Sequence, residues 1–526
     1  MFDVIIRDAN VVDGTGAGPR RTDVGIIGSV ITAVEPLPPG AISRYTVDGG
    51  GRLLCPGFID IHTHSDLTLI EDGRGESKLR QGVTTEVVGN CSFSAFPIEP
   101  SRRDLHADHL ARATAAIVPW WSDLDGYAAA LEDEGLALNV IPLVGHGTLR
   151  IAAMGVDSRP ATKAELGRME RDLLEALDQG AYGMSTGLTH VPSAYGDVEE
   201  VATLVAALAR RGALYATHAR AATDERVSVA EAIDVGRRTG ASVEFSHLAI
   251  NRPERWGHAD ELLALFDDAR GDGVDVSFDV YPYDASSSSL TQYLPPWVQA
   301  GGTAELRRRL ADPPTRALAR RDMEAGWFEG IPWLWDRFVV SACHDHGLVG
   351  RTLADISVAA GCPPDELTLR LCEEFGNELQ VVLFYRTEAD VARFVAHPLS
   401  VIGSDGNAIA MDQPRDRPHP RTFGTFPRVL ARYCRDRHLL EIGEAVRKMT
   451  AEPARRLGLS DRGVLAVGKV ADCVLVDLAV VGDRADFTSR AEPPAGIDLV
   501  MVGGEVVLDG GRIGTARPGR VLRRGG

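Results

Sequence analysis

The sequence predicts an α/β protein in which a closed (β/α)8 barrel is flanked by a small β-sandwich built from both termini. Over most of the chain, short β-branched runs alternate with segments of helical spacing such as "EVATLVAALARRGA", and this alternation is typical of parallel strands joined by helices. Both ends instead carry paired apolar strands with glycine turns, as in "VIIRDANVVDGTGAG" and "LVMVGGEVVLDGGRI". With 526 residues, the chain is long enough for both units.

Eight segments supply the barrel strands, and nearly all of them end in polar or reactive residues. In chain order they read "FIDIHTH", "TTEVVGNC", "LNVIPLVGH", "AYGMSTG", "LYATHAR", "SVEFSHL", "VSFDVYPY" and "LSVIGSDG". A TIM-type barrel carries its chemistry at the carboxyl ends of its strands. We therefore expect the functional site at that end of the barrel.

The domain boundaries follow from the same patterns. Residues 1–55 and 457–526 are predicted to form the β-sandwich, and residues 56–456 the barrel. Within the barrel, the segment at about 286–396 is too long for one connection between strands, and its stretches "YLPPWVQAGG" and "WFEGIPWLWDRF" are rich in tryptophan. We predict that this segment is an insertion that folds over the barrel mouth, partly as a lid.

The charge balance and the cysteines narrow the range of partners and compartments. With 56 Lys and Arg against 74 Asp and Glu, the formal net charge is −18, which argues against nucleic acid or an anionic membrane as a partner. The seven cysteines form no C-x-x-C pair, and we predict neither a signal peptide nor a transmembrane segment. We therefore expect a cytoplasmic protein with reduced thiols, for which an oligomer is possible. The charge says little about a small substrate, because a site can be locally positive.

Several strand ends carry side chains that bind metals. In "FIDIHTHSD", two histidines are two residues apart and so point to the same side of the strand, towards the barrel axis. One H-x-H pair alone is weak support, but further strand ends add to it. The six metal-competent side chains are His62, His64, Cys91, His218, His247 and Asp405. Because these strand ends converge on one axis, the sequence predicts a metal site there.

The donor types indicate zinc and a hydrolytic role. Zinc prefers sulfur and imidazole ligands, and bound Zn²⁺ polarises a carbonyl group and activates water. Asp405 lies in "GSDG", which is a common turn composition. Beside the histidines, however, Asp405 is predicted to take a proton from water and to deliver one to a leaving amine.

These motifs resemble those of the D-aminoacylases (N-acyl-D-amino-acid deacylases), a branch of the amidohydrolase superfamily. The resemblance covers nearly the whole chain and runs through "GFIDIHTHSD", "VVGNCSFS", "GAYGMSTGL", "THAR", "EFSHL", "YPYDAS", "GSDG", "HPRTFGTFPRVL", "MTAEPARRLGL" and "DRGVLAVGKVADCVLVD". The cysteine in "VVGNCSFS" is the most specific feature, because most of the superfamily has a carboxylated lysine on strand four instead. Strand four of this chain contains no lysine.

The resemblance implies a TIM barrel with a terminal β-sandwich, and zinc as the cofactor. The tight zinc site would consist of Cys91, His218 and His247. A second, weaker position would be lined by His62 and His64 together with Cys91 and Asp405.

The resemblance also implies residues for substrate binding. Arg421, in "HPRTFG", matches the arginine that holds the substrate carboxylate. The supporting hydrogen-bond donors would be Tyr281, Tyr283 and Ser287.

Two positions near the substrate depart from the family pattern. Ala249 stands where the family usually has a lysine. His190 stands where the family usually has a tyrosine, and we expect it to bind the substrate. The acyl group, the amino-acid side chain and the selectivity between D and L substrates therefore stay open.

The predicted activity is zinc-dependent hydrolysis of the amide bond of an N-acyl amino acid, with D configuration expected, or of a related N-acyl amine. Two alternatives remain open. A cyclic-amide hydrolase of the hydantoinase or dihydroorotase type would share the barrel. The absence of a carboxylated lysine from strand four counts against it. A non-enzymatic scaffold on the same fold predicts a broken ligand set, whereas this set is intact.

Overall fold

Eight parallel strands form the barrel, in the order that the sequence predicts. The computed structural model describes residues 1–115, 117–411, 416–488 and 491–525, and all eight strands lie within these ranges. They span Phe58–Asp60, Val83–Val88, Asn139–Pro142 continued by Val144–Gly145, Gly183–Gly187, Leu214–His218, Ser242–Phe245, Val276–Val280 and Ser400–Ile402. The hydrogen-bonded neighbours among them are parallel, so their carboxyl ends reach the same mouth.

Helices that bury one apolar face surround these strands. In the helix Val198–Arg211, buried residues recur at Val201, Leu204, Val205 and Leu208, which is the spacing of a helix packed on a core. The outer helices are Leu124–Glu134, Lys163–Asp178, Val198–Arg211, Glu225–Thr239, Ala259–Gly271, Glu388–Ala396, Ile442–Met449 and Ala451–Leu457. Within the described ranges, every helix is too short or too polar to span a lipid bilayer.

The two ends of the chain share one nine-stranded sheet. Its strands are Phe2–Val11, Arg20–Ile27, Val30–Val34, Ser43–Asp48 and Leu53–Pro56 from the amino-terminal part, and Cys473–Val476, Ile497–Val502, Glu505–Asp509 and Arg512–Ile513 from the carboxyl-terminal part. The two parts join where Leu53–Pro56 pairs antiparallel with Cys473–Val476. Apolar side chains from both parts, such as Ile6 and Leu475, pack in one buried cluster.

The segment after strand seven forms a unit with its own core. Three antiparallel strands, Ser286–Ser289, Phe338–Ala342 and Gln380–Leu383, pack with helices Pro296–Gln299, Thr303–Ala311, Pro313–Met323, Leu353–Ala360 and Pro364–Phe375. A separate apolar cluster that includes Trp327 and Phe338 lies between them. The helix Glu388–Ala396, which the prediction counted with this insertion, instead packs on the barrel helix Ala259–Gly271. We therefore propose that the insertion ends before residue 388.

A buried lysine closes the barrel between its first and last strands. There the strands share one bridge, Thr63 to Gly406. Below it, Lys78 Nζ donates to Asp60 Oδ2 at 2.8 Å and to Ser404 Oγ at 2.6 Å. Because Lys78 is fully buried, its charge joins the two strands directly beneath the predicted metal donors.

We expect Lys78→Met to destabilise the barrel strongly. The substitution leaves Asp60 and Glu86, whose carboxylates lie 2.8 and 3.2 Å from Nζ, buried without their cation. Breaking a buried ion pair in this way costs about 3–5 kcal/mol, which urea unfolding would measure. Lys163→Met, at the exposed start of its helix, is the matched control and should change the free energy of unfolding by less than about 0.5 kcal/mol. Equal effects of the two substitutions would contradict the role of Lys78.

Candidate metal centre

Donor atoms from six strand ends meet at the barrel mouth. Two groups have all donor atoms within 4.8 Å of one another, namely His62 with His64, Cys91 and Asp405, and Cys91 with His190 and His218. Cys91 belongs to both groups, so its sulfur joins them. His247 Nε2 lies 3.4 Å from Cys91 Sγ and 3.0 Å from His218 Nδ1. The six side chains singled out in the sequence are therefore neighbours in space.

Three of the donors lie on strained backbone just past the ends of their strands. The angle φ is +51° at Cys91, +39° at His247 and +51° at Asp405, a region in which residues other than glycine cost about 1–3 kcal/mol each. Hydrogen bonds hold two of them. The Asp405 N–H donates to the His62 carbonyl at 2.8 Å, and the His247 N–H donates to the Asp279 carboxylate at 2.8 Å. Such strain is typical of functional sites.

Asp279, on strand seven, orients two of the histidines. Its Oδ2 lies 3.0 Å from His62 Nδ1, while its Oδ1 accepts the His247 N–H. With Nδ1 of His62 directed to a carboxylate, Nε2 faces Cys91 Sγ at 3.2 Å. Metal-binding histidines are commonly held by a carboxylate in this way. The sequence analysis missed Asp279, although an acidic residue inside the apolar strand "VSFDV" could have indicated it.

His190 lies closer to the donors than its predicted role in substrate binding requires. Its donor atom belongs to the group with Cys91 and His218, and its ring centroid lies 4.5 Å from that of His218. The adjacent Thr189 places Oγ1 2.6 Å from His218 Nε2 and so orients that ring. His190 also lines the cavity above the donors, so it can contact both a metal ligand and a substrate.

Strand four has no room for a metal-bridging side chain at its end. It ends in Gly187, and a Cβ atom there would lie 2.2 Å from the Cys91 carbonyl oxygen. The loop that carries Cys91 therefore occupies the space into which a side chain on strand four would point. This packing leaves no room for a lysine at position 187 and so agrees with its absence from the end of strand four.

The electrostatics of the cluster fit a bound zinc ion. Burial alone raises the pKa of the Cys91 thiol, but the imidazoles of His62 and His247 oppose it and hold the pKa well below its ordinary range. Among the described residues, Nδ1 of His64 and Nδ1 of His190 are buried without a hydrogen-bond partner. A thiolate surrounded by imidazoles is a donor set that zinc prefers.

Asp405 connects the metal donors to an arginine. Its Oδ1 lies 2.9 Å from His64 Nε2, and its Oδ2 forms an ion pair with Arg421 Nη1 at 2.6 Å. Burial raises the pKa of Asp405, but the Arg421 guanidinium and the His64 hydrogen bond outweigh it and hold the pKa well below its ordinary range. The carboxylate is therefore ionised and can accept a proton.

The donors form the floor of a cavity that favours an anionic ligand. The cavity has a volume of about 240 Å³ and is bounded by the barrel mouth and the insertion. Among the described residues, its charged lining consists of five arginines and two carboxylates, namely Arg112, Arg220, Arg252, Arg386 and Arg421, with Glu225 and Asp405. Although the chain as a whole is acidic, this excess of guanidinium groups makes the cavity locally positive.

The residues predicted to bind substrate do not all reach this cavity. Tyr281 and Ser287 line it, and the Arg421 guanidinium lies 4.7 Å from the centroid of the Tyr281 ring. Tyr283 is not among the lining residues, and its hydroxyl donates to Asp483 at 3.3 Å. The Tyr283 N–H donates to the Tyr281 carbonyl at 2.9 Å, so the structure does not support the predicted contact of Tyr283 with a ligand in this cavity. That tight turn breaks the alternation that would have placed both tyrosines on one side.

Arg386 is a cavity residue that the sequence analysis did not identify. It follows the last strand of the insertion, and its guanidinium lies 4.6 Å from the centroid of the Tyr281 ring. In the sequence it stands in "VVLFYRTEAD", where no periodicity or motif distinguishes it from a surface arginine.

Comparisons with known proteins agree with this geometry. A model of the amidohydrolase family matches residues 45–310 and 343–508. The chain is 38% identical to N-acyl-D-glutamate deacylase of Alcaligenes xylosoxydans xylosoxydans, over 99% of its own length and 97% of that relative. Two solved structures have a TM-score of 0.83. One is N-acyl-D-glutamate deacylase from Bordetella bronchiseptica complexed with zinc and a phosphonate inhibitor, at 34% identity over 99% of each chain. The other is D-aminoacylase, at 33% identity over 100% of both chains.

These matches confirm the predicted fold, a TIM barrel with a terminal β-sandwich. They also confirm the resemblance that the motifs indicated. Because the family model spans most of the chain and the relatives span nearly all of it, the chain belongs to the amidohydrolase family, in the branch of the D-aminoacylases.

Proposed function

We propose that this protein is a zinc-dependent hydrolase that cleaves the amide bond of N-acyl-D-amino acids and releases a carboxylate and a free amino acid. The observation that carries the proposal is the cluster of one thiolate, several imidazoles and one carboxylate on the floor of an arginine-rich cavity. A relative bound to zinc and to a mimic of the tetrahedral intermediate supports the reaction type. The substrate named for the relatives supports the D configuration.

Cys91, His218 and His247 would hold a tightly bound zinc ion, and His62 and His64 would complete a second, weaker position. When bound, zinc supplies a Lewis acid that polarises the amide carbonyl and lowers the pKa of water. The chain's contribution is to hold the donors in a fixed arrangement before the ion and the substrate arrive. The hydrogen bonds described above hold the imidazoles of His62 and His218 in this arrangement.

Asp405 would move the protons of the reaction. Its ionised carboxylate takes a proton from the attacking water, and it later delivers that proton to the nitrogen of the leaving amine. The His64 and Arg421 contacts hold one carboxylate oxygen on each side, so the group cannot rotate away from the donors.

Arg421 would bind the α-carboxylate of the substrate. This carboxylate is attached to the carbon that bears the amide nitrogen, so it must lie close to the metal donors and to Asp405. The Arg421 guanidinium is already there, only 5% of the residue is exposed, and Nη2 is a further donor towards Ser287. Guanidinium groups bind carboxylates through charge-assisted hydrogen bonds.

Metal analysis combined with a substrate screen tests the proposed function. Purified protein should contain about one tightly bound zinc per chain. With zinc bound, it should release free amine from N-acetyl-D-amino acids faster than from their L enantiomers. Absence of zinc, together with no amine release from either series, would contradict the proposal.

We expect Arg421→Ala to lower kcat/KM by about two orders of magnitude on carboxylate-bearing substrates, because charge-assisted hydrogen bonds to the substrate are lost. Zinc content should stay unchanged. The substitution also removes the ion pair between Arg421 and Asp405. The same variant is therefore assayed on an N-acetyl amine without a carboxylate. A smaller loss on that substrate separates carboxylate binding from an effect on Asp405.

The matched control is Arg428→Ala. Arg428 also pairs with an aspartate, Asp483 at 2.8 Å, and also stacks on a tyrosine, but it does not line the cavity. Its substitution should leave kcat/KM within a few-fold of the wild type. If Arg421→Ala behaves like this control on every substrate, Arg421 does not bind the carboxylate.

A further inference from the structure

Arg386 lies where the insertion returns to the barrel. It stands between the strand Gln380–Leu383 and the helix Glu388–Ala396, so its position depends on how the insertion folds over the mouth. Its Nε donates to Asn251 Oδ1 at 3.3 Å, and its guanidinium stacks on the Tyr281 ring. These contacts orient the guanidinium without using its two terminal amino groups.

Arg386 differs from the other four arginines of the cavity in its partners. Arg421, Arg220 and Arg252 pair with carboxylates, while Arg112 is buried and donates to a backbone carbonyl and a side-chain amide. Among the described residues, no carboxylate lies within ion-pair distance of Arg386. A planar fork of donors that is oriented but not neutralised is suited to bind a carboxylate from outside the chain.

The two guanidiniums that stack on Tyr281 differ in their relation to the metal donors. Arg421 contacts Asp405 directly, whereas among the described residues no hydrogen bond or ion pair links Arg386 to a metal donor. A carboxylate held by Arg421 must therefore be close to the scissile amide, as the α-carboxylate is. A carboxylate held by Arg386 lies further from the reacting bond but beside the same Tyr281 ring as the α-carboxylate. It therefore belongs to the amino-acid side chain and not to the acyl group.

We propose that Arg386 binds a second carboxylate and that the preferred substrates are N-acyl amino acids with an acidic side chain. The inference rests on the proposed function for the reaction, and it adds the substrate class and the residue that selects it. Ala249 lines the same cavity and brings no charge, so the selecting cation comes from the insertion and not from strand six. The locally positive cavity described above agrees with a dianionic ligand.

The test compares N-acetyl-D-glutamate with N-acetyl-D-glutamine, which has nearly the same shape but no side-chain charge. The zinc-loaded wild type should prefer the glutamate substrate. Arg386→Gln should lower kcat/KM for that substrate by about 10- to 100-fold, as expected for lost hydrogen bonds to a charged group. For the glutamine substrate it should change kcat/KM by less than about threefold. Arg386→Lys, which keeps the charge, should retain part of the preference.

The matched control is Arg437→Gln, an arginine that stacks on Tyr433 outside the cavity and should leave both substrates unaffected. Equal losses on the two substrates after Arg386→Gln would overturn the proposal, because they would show a structural role. No loss on either substrate would overturn it as well.

Binding measurements separate this inference from the proposed function. Calorimetry on the zinc-loaded protein compares glutarate with its monoamide, and neither ligand requires turnover. The wild type should bind glutarate more tightly, and Arg386→Gln should abolish the difference. If no N-acyl amino acid is hydrolysed but this difference appears and disappears as described, the reaction is wrong and the role of Arg386 stands. If glutarate binding is insensitive to the substitution, the role of Arg386 is wrong whatever the activity.

Discussion

Cys91→Ala is expected to yield a folded protein that has lost both its bound zinc and its activity. Its sulfur belongs to both donor groups and lies 3.2 Å from His62 Nε2 and 3.4 Å from His247 Nε2. The low pKa of the thiol makes it a thiolate, the ligand type that zinc prefers. A bound metal contributes several kcal/mol of transition-state stabilisation. Since about 1.4 kcal/mol equals a factor of ten, activity should fall by at least about a thousandfold.

Elemental analysis of the purified variant, together with its rate on the best substrate, checks this expectation. Cys372→Ala is the matched control, because Cys372 is also fully buried but lies in the core of the insertion. The control should keep its zinc and its turnover. Full zinc content in Cys91→Ala would show that the sulfur is not a ligand of the tight site.

Asp405→Asn is expected to retain zinc but to lower kcat by about 10²–10⁴, the usual contribution of acid–base catalysis. The amide keeps the size of the carboxylate but cannot accept a proton. In the wild type, Arg421 and His64 hold the pKa of this carboxyl well below its ordinary range, so the ionised form is present at neutral pH.

The kinetic constants and the zinc content of the variant are measured side by side. Asp472→Asn is a matched control, because Asp472 is also a buried aspartate paired with an arginine, Arg462 at 2.8 Å, but it directly precedes the strand Cys473–Val476 of the terminal sheet. Its substitution should change stability and not turnover. An Asp405→Asn protein that turns over within a few-fold of the wild type would place the base on another residue.

The sequence by itself determined the barrel and six members of the donor cluster. Short apolar runs and helical spacing report the period of each element, and the eight strands appear in the structure in the predicted order. Because parallel strands in a barrel all end at one mouth, reactive residues at those ends must converge there. That rule was enough to name Cys91, His247 and Asp405 as neighbours before any coordinates. Their roles as ligands and base stay predictions until the variants above are measured.

Only the tertiary structure decided which side chains surround that cluster. Tyr283 has the same spacing from Tyr281 as the two histidines have from each other, yet a tight turn directs it out of the cavity to Asp483. His190, which the sequence predicted to contact the substrate, lies beside Cys91 and His218.

Arg386 is the clearest case of a residue that sequence reasoning could not place. Periodicity tells which side of its own element a residue faces, but it does not tell which elements meet in space. The insertion lies between strands seven and eight in the chain, and its return brings Arg386 over the ring of Tyr281, which directly follows strand seven. The charge of the cavity therefore depends on contacts between distant segments, and the packing of the insertion on the barrel determines them.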